Sequence, residues 1–212
     1  MALEINTLRI KAERLGTVND VISLLSDIEF AYNSIYTFNF LVDSLAYNQE
    51  RNNRYAKELL DYYKHDFPRY IFINENILNK PLPNLIELQK NIDFEKIILP
   101  DDKLVISKVN IQSPGFWEFV GSLNPLQQMR EYLNDRHERQ KDRKYRNRQE
   151  EELGNLEIQD KKNKLISQRI DILKNAGYSD IEIRQMVNSM INLPLNKLGE
   201  YQDKGQIEES ED

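Results

Sequence analysis

The chain has 212 residues, a length that fits one ordinary domain with an extension or two small domains. Apolar residues make up 40 % and charged residues 30 %, which is enough for one core, and the net charge of −6 argues against general affinity for nucleic acid. The absence of cysteine excludes a disulfide scaffold, a thiolate metal site and a cysteine nucleophile.

Two features bear on where the chain acts. Residues 1–10 lack a basic stretch followed by an apolar one, so the sequence predicts no secretory signal. No apolar run approaches the ~18–20 residues that a membrane span requires. We therefore expect a cytoplasmic protein that makes no contact with a membrane.

The first elements are a strand and a long helix. Leu8, Ile10 and Ala12 alternate with polar residues, which is typical of a half-buried strand. Apolar residues at three- and four-residue steps predict a helix over 18–47, and a second helical segment follows over 50–64. The aromatic residues of the long helix fit either a ligand pocket or core packing, and we favour packing.

Strand signals return over 96–123 and predict a β-meander. Ile97–Leu99 end one strand at the turn 100–102, and a second strand covers 104–111. A second turn precedes Phe116–Val120, with Trp117 as a core or interfacial aromatic residue. The strand around Leu8 is the expected fourth member of this sheet.

No proline occurs after Pro125 until beyond residue 175, which predicts a long helix that starts at Asn124-Pro125 and continues to about 175. Its first turns are amphipathic, whereas residues 135–148 are strongly charged and rich in arginine and lysine. Gly154 is either a hinge or a break, because glycine weakens a helix. An apolar seam resumes over 156–173 and indicates a partial coiled coil.

A helical hairpin and a tail complete the chain. Gly177 fits a helix C-cap, and Ser179 with Glu182 forms a capping box for a helix that ends at Pro194. Residues 195–201 suggest one more short helix, and the acidic residues 206–212 suggest a disordered tail.

Together these elements predict an α+β fold. A small antiparallel sheet packs on a long helix, followed by a long charged C-terminal helix and a terminal helical hairpin. The expected boundaries are an α+β domain at 1–123, the charged helix at 124–175, the hairpin at 176–205 and the tail at 206–212.

The basic run is the most prominent charged feature, and it allows two interpretations. Its residues could bind phosphate groups of nucleic acid, or they could form a solvated helix, which we favour because acidic residues interrupt the run. The possible phosphate-binding residues are Arg136, Arg139, Lys141, Arg143, Lys144, Arg146 and Arg148. The hairpin at 166–191 resembles a helix-turn-helix, but the second helix offers only Arg184 for phosphate contacts.

Sequence motifs for catalysis are lacking. His65 and His137 are the only histidines and are not spaced as metal ligands, and no glycine-rich phosphate loop, nucleophile elbow or HExxH motif is present. We therefore expect no catalytic residue, metal, cofactor or small-molecule ligand. An enzyme with an unrecognised site stays open as an alternative, and it would need a polar pocket beneath the helix 18–47.

Residues 113–143, SPGFWEFVGSLNPLQQMREYLNDRHERQKDR, resemble a block that recurs in uncharacterised bacterial proteins. In those proteins a short sheet is likewise followed by a charged helix, and Tyr201–Gly205 is similar to their closing motif. The resemblance implies that the last strand and the charged helix form one unit. It implies no activity and no site residues, because no function is known for the family.

These patterns predict a non-catalytic scaffold or adaptor that forms a homo-oligomer or binds a protein partner through its C-terminal helices. The reason is that the apolar residues on these helices lie too far along the chain to reach the N-terminal core. The expected association residues are Leu156, Ile158, Leu165, Ile166, Ile170, Leu173, Ile183, Met186, Val187 and Met190.

Overall fold

The computed structural model describes residues 5–12, 16–66, 93–112, 114–143 and 164–211. It confirms the α+β fold, with a small antiparallel sheet and a set of helices. The strands are β1 (Ile5–Ala12), β2 (Val105–Asn110), β3 (Gly115–Ser122) and β4 (Ser210–Glu211). The helices are α1 (Val18–Asp66), α2 (Phe94–Ile97), α3 (Leu123–Arg143), α4 (Lys164–Asn175), α5 (Asp180–Val187) and α6 (Leu193–Asp203).

The sheet has the strand order β2-β3-β1-β4, and every neighbouring pair is antiparallel. Leu8 lies opposite Phe119, and Ile10 lies opposite Trp117. All four side chains are buried, so they define the core face of the sheet, and the alternation predicted for β1 is confirmed. The opposite face, which carries Glu118, is the outer face.

The predicted strand at 97–99 is wrong. Residues Phe94–Ile97 form the short helix α2, and Pro100–Asp102 form a 3-10 turn. A short apolar run fits a strand or a buried helical turn equally well, and its spacing cannot separate the two. The fourth strand of the sheet is instead β4, from the other end of the sequence.

Helix α1 is longer than its predicted end at residue 47. It continues through 50–64 to Asp66, for 49 residues, because neither glycine nor proline occurs between Gly16 and Pro68. Its buried side recurs at helical spacing and joins the core of the molecule. That buried side comprises Leu24, Ile28, Ala31, Tyr32, Ile35, Phe38 and Val42.

Helix α3 follows β3 directly and packs its first turns into the core, as the sequence predicted for the strand–helix junction. Leu126, Met129 and Leu133 are fully buried on one side of the helix. The charged part of α3 begins at Asp135, whose carboxylate lies 3.9 Å from the Arg139 guanidinium one turn later. Gly154 and the first part of the predicted coiled coil lie outside the described residues.

The junction between α4 and α5 forms as predicted. Gly177 has φ of 98°, and the N–H groups of Gly177 and Tyr178 donate to the carbonyls of Lys174 and Leu173 at 2.9 and 3.2 Å. Ser179 caps α5 and forms a complete capping box with Glu182. These local bonds fix the turn that brings α5 back against α4.

The helix does not end at Pro194 as predicted. A π-helical turn at Asn188–Asn192 links α5 to α6, and the Leu193 N–H donates to the Asn188 carbonyl five residues earlier. A proline inside a regular helix clashes with the carbonyl four residues before it and lacks an N–H. The wider turn accommodates both defects, so the chain stays helical to Asp203.

The predicted disordered tail at 206–212 is instead ordered over most of its length. Ile207 is 1 % exposed, and the Ser210 N–H and hydroxyl both donate to the Asn134 side-chain oxygen, at 2.8 and 3.0 Å. Backbone bonds between 208–209 and Lys11 attach the tail to the edge of β1. The acidic composition predicted a solvated tail. The buried Ile207 side chain and the backbone bonds to the open edge of β1 hold the tail in place instead.

Removing the Ile207 side chain tests this anchor. We expect Ile207→Ala to lower the free energy of unfolding by about 2–5 kcal/mol, because the change leaves a cavity in the core. Ile181→Ala is the matched control, since Ile181 is 70 % exposed on α5, and it should change stability by less than ~0.5 kcal/mol. Urea unfolding measures both values, and equal effects would contradict the burial of the tail.

Candidate protein-association surface

The structure places the predicted association residues in the core of the chain itself. Leu173, Ile183, Met186 and Met190 are buried in one cluster with the residues of β1, α1 and β3. Ile166, Ile170 and Val187 pack against that cluster. The reasoning that these helices cannot reach the N-terminal core is therefore wrong. Leu156 and Ile158 lie outside the described residues, as does the side chain of Leu165.

Polar contacts join the C-terminal helices to α1 at two places. The Tyr201 hydroxyl donates to Asp27 Oδ2 at 2.7 Å, and Lys197 Nζ lies 3.2 Å from Oδ1 of the same residue. Further along α1, Arg169 on α4 forms an ion pair with Asp43. These contacts hold the C-terminal helices against α1, in the N-terminal half of the chain.

The described part of the basic run is paired with acidic side chains. Arg136 Nη2 lies 2.6 Å from Asp203 Oδ2, and Gln140 Nε2 donates to the other oxygen of Asp203 at 2.8 Å. Arg139 faces Asp135 on its own helix. Both arginines thus have carboxylate partners within the molecule. Lys144, Arg146 and Arg148 lie outside the described residues, as do the side chains of Lys141 and Arg143.

A polar cluster lies where α1, the 3-10 turn and the end of β3 meet. The Tyr32 hydroxyl donates to the Asp102 backbone oxygen at 2.5 Å and accepts from the Ser122 N–H at 2.7 Å. The Asp102 carboxylate accepts from the Tyr36 hydroxyl at 2.7 Å and from the Ser122 hydroxyl at 3.0 Å. Gly121 leaves room for Tyr32, because a Cβ there would lie 2.8 Å from the Tyr32 hydroxyl.

This cluster is built to hold the turn in place. Burial raises the pKa of Tyr36 well above its ordinary value, and the hydrogen bond to Asp102 raises it further. The phenol therefore stays protonated and acts as a donor, which makes it unsuited to abstract a proton at neutral pH. Asp102 is 2 % exposed, and its hydrogen-bond donors compensate the cost of burying it.

Strand β2 forms an edge of the sheet and carries the largest run of exposed apolar side chains on any strand. Within the part of the chain that the structure describes, no strand pairs with its outer side. Its apolar side chains Val105, Ile106 and Val109 are between 44 % and 56 % exposed, and Ile111, directly after the strand, is 67 % exposed. An edge of this kind presents both backbone hydrogen-bonding groups and apolar surface to another chain.

Glu118 organises the outer face beside this edge. Arg9 Nη2 donates to its Oε2 at 2.6 Å, while the Ser107 hydroxyl donates to its Oε1 at 2.9 Å and Lys108 Nζ lies 3.3 Å from that oxygen. The bond from Arg9, followed by that from Ser107, lowers the pKa of Glu118 from 4.5 to about 2. Lys108 is thereby drawn toward its own sheet. Sequence analysis missed Glu118, because its neighbours lie on other strands.

Other kinds of site find little support in the described residues. Within them, no group of three histidine, aspartate or glutamate side chains is placed to hold a metal ion. None of the described helices is long and apolar enough to cross a membrane. Comparisons with protein-family models, curated proteins and solved structures give no significant match to this chain. The resemblance of 113–143 to uncharacterised bacterial proteins therefore stays a prediction.

Tyr36→Phe tests the polar cluster. It removes the donor to the Asp102 carboxylate, so we expect a loss of about 1.5–3 kcal/mol in the free energy of unfolding, near the low end because Tyr36 is partly exposed. Tyr47→Phe is the matched control on the same helix, since Tyr47 is 64 % exposed. Urea unfolding compares the two, and equal losses would show that the hydrogen bond does not stabilise the fold.

Glu118→Gln tests the ion pairs on the outer face. Because folding lowers the pKa of Glu118, its stabilising effect is complete above the ordinary value of 4.5 and declines as the pH falls toward about 2. The variant should therefore be less stable than the unmodified chain at pH 7, and the difference should shrink over that acid range. Unfolding curves at several pH values measure the difference. Glu29→Gln, at an exposed position on α1, is the control, and a pH-independent difference for Glu118→Gln would contradict the assignment.

Proposed function

We propose that the chain is a non-catalytic association protein, a scaffold or adaptor, that binds protein through the edge of β2. The proposal rests on one observation, the row of exposed branched side chains along this edge strand. Relative to the sequence prediction, the association surface moves from the C-terminal helices to the sheet. Among the described residues of those helices, Leu173, Ile183 and Met186 are buried in the core of the chain itself.

Strand addition is the binding mode that fits this surface. An extended segment paired with β2 would bond to the backbone groups of the strand, and alternate side chains would cover its apolar residues. Ile106 and Val109 lie on the core face, opposite Phe119 and Trp117 of β3, so a partner strand would extend the core sideways. The apolar surface supplies affinity, while the alternation of faces selects the register.

Protein is favoured over nucleic acid as the partner. The chain carries a net charge of −6, and the described arginines of the basic run, Arg136 and Arg139, face Asp203 and Asp135. A nucleic-acid surface would need a row of cations available to phosphate groups. The β2 edge instead offers branched aliphatic side chains, which suit a protein backbone and its apolar side chains.

Site-specific photo-crosslinking in the cell tests the proposal. A benzophenone amino acid at position 109 should give a discrete protein adduct, because Val109 lies on the binding edge, and Ile106→Asp in the same chain should abolish it. The same photo-reactive residue at position 181 is the control, since Ile181 is exposed on α5, away from the sheet. Gel mobility and mass spectrometry of the adduct provide the readout. No adduct at 109, or the same adducts at 181, would refute the proposal.

A further inference from the structure

We infer that the partner of β2 is a second copy of this chain, with the two β2 strands paired antiparallel about a twofold axis. This inference rests on the proposed function and names the partner for the same edge. It follows from an irregularity in β2 that breaks the regular alternation of faces and that a second copy of the strand shares, so the two copies can match along the strand. Twofold pairing requires such self-complementarity, because each surface contact occurs twice.

The irregularity is a β-bulge at Ser107. Ile106 lies opposite Phe119 and Lys108 lies opposite Glu118, so Ser107 is an extra residue in β2. The Ser107 hydroxyl and the Lys108 ammonium both reach Glu118 Oε1, at 2.9 and 3.3 Å. Both side chains therefore lie on the outer face of the sheet.

The bulge changes which residues share a face. In a regular strand, residues that are three positions apart point to opposite faces. Across the bulge this relation is reversed, so Ile106 and Val109 both lie on the core face, opposite Phe119 and Trp117. In two paired antiparallel strands, residues that lie opposite each other point to the same face. Because of the bulge, two copies of β2 meet this condition when the twofold axis passes between Ser107 and Lys108.

In that register every opposed pair shares a face of the combined sheet. The pairs, first copy to second, are Ser107 with Lys108, Ile106 with Val109, and Val105 with Asn110. A shift by one residue in either direction would set core-face residues against outer-face residues. The register with the axis between Ser107 and Lys108 is therefore the one that covers the apolar side chains of both copies.

The charges on the edge are compatible with this pairing. Lys108 of each copy lies opposite Ser107 of the other, so the two lysines are offset by one residue on the outer face and are not directly opposed. Each Lys108 stays beside Glu118 of its own copy, 3.3 Å away, which balances its charge. By contrast, one of the shifted registers would place the two Lys108 residues directly opposite each other.

The expected dimer is weak. A specific interface usually buries about 800 Å² on each partner, and a single strand edge with its side chains falls short of that. We therefore expect a reversible dimer that dissociates at low micromolar concentration and forms at high micromolar concentration. Sedimentation of the purified full chain over this range should show the mass rising from one copy to two.

Disulfide trapping tests the register, because the chain has no cysteine of its own. Ile106→Cys and Val109→Cys are purified separately, one with a mass tag, then mixed and oxidised. Directly opposed residues have Cα atoms about 4.5–5.5 Å apart, within the range of a disulfide. Like residues are offset by three positions, about 10 Å, which is too far. The mixture should therefore give mainly the mixed dimer, and Ile106→Cys with Ile181→Cys should give none above background.

Val109→Lys tests the same contact without a disulfide. It should abolish the concentration-dependent rise in mass, whereas Ile181→Lys, at an exposed position away from the sheet, should leave it unchanged. Circular dichroism checks that both variants are folded. A monomer at high micromolar concentration, or a statistical mixture of the three disulfide dimers, would overturn the inference. A purified monomer that still gives the cellular adduct at position 109 would leave the proposed function standing and refute only the second copy.

Discussion

The rest of the described structure depends on the buried apolar stripe of α1. This stripe runs from Leu24 to Val42, about 27 Å along the helix, and it shares one core with β1, β3 and the C-terminal helices. The sheet forms one contact with the stripe, and the C-terminal helices form a second. Asp27 and Asp43 mark this second contact through Tyr201 and Arg169. The second contact also returns the C-terminal helices toward the sheet, where β4 pairs with β1.

Features set by neighbouring residues could be predicted from the sequence. The alternation around Leu8 and the capping box at Ser179 depend on contacts within a few positions, and both form as expected. The apolar face around Met186 was also visible, but periodicity shows only that a face is buried and not what buries it. It lies in the core because the C-terminal helices fold back onto α1 near Asp27 and Asp43, and no local pattern in the sequence shows this return.

The candidate surface depends on register, which explains why the sequence did not reveal it. Glu118 meets Ser107 and Lys108 only because β2 and β3 pair with one extra residue. A bulge and a lysine on an edge strand usually discourage unwanted pairing. Here Glu118 draws the lysine toward its own sheet, and the apolar side chains beside it stay exposed. In the pairing that we propose, such an edge would accept a strand whose pattern of faces matches its own.

The pairing of β1 with β4 also constrains how the molecule can be made. Arg9 lies opposite Glu211, so the two partners are about 200 positions apart in the sequence. At a synthesis rate of about 5–20 residues per second, β1 leaves the ribosome roughly 10–40 s before its last neighbour exists. Its other neighbour, β3, also emerges later, because it starts at Gly115. The sheet thus closes only after Glu211 has been synthesised, and a strand rich in apolar residues must be kept from wrong partners until then.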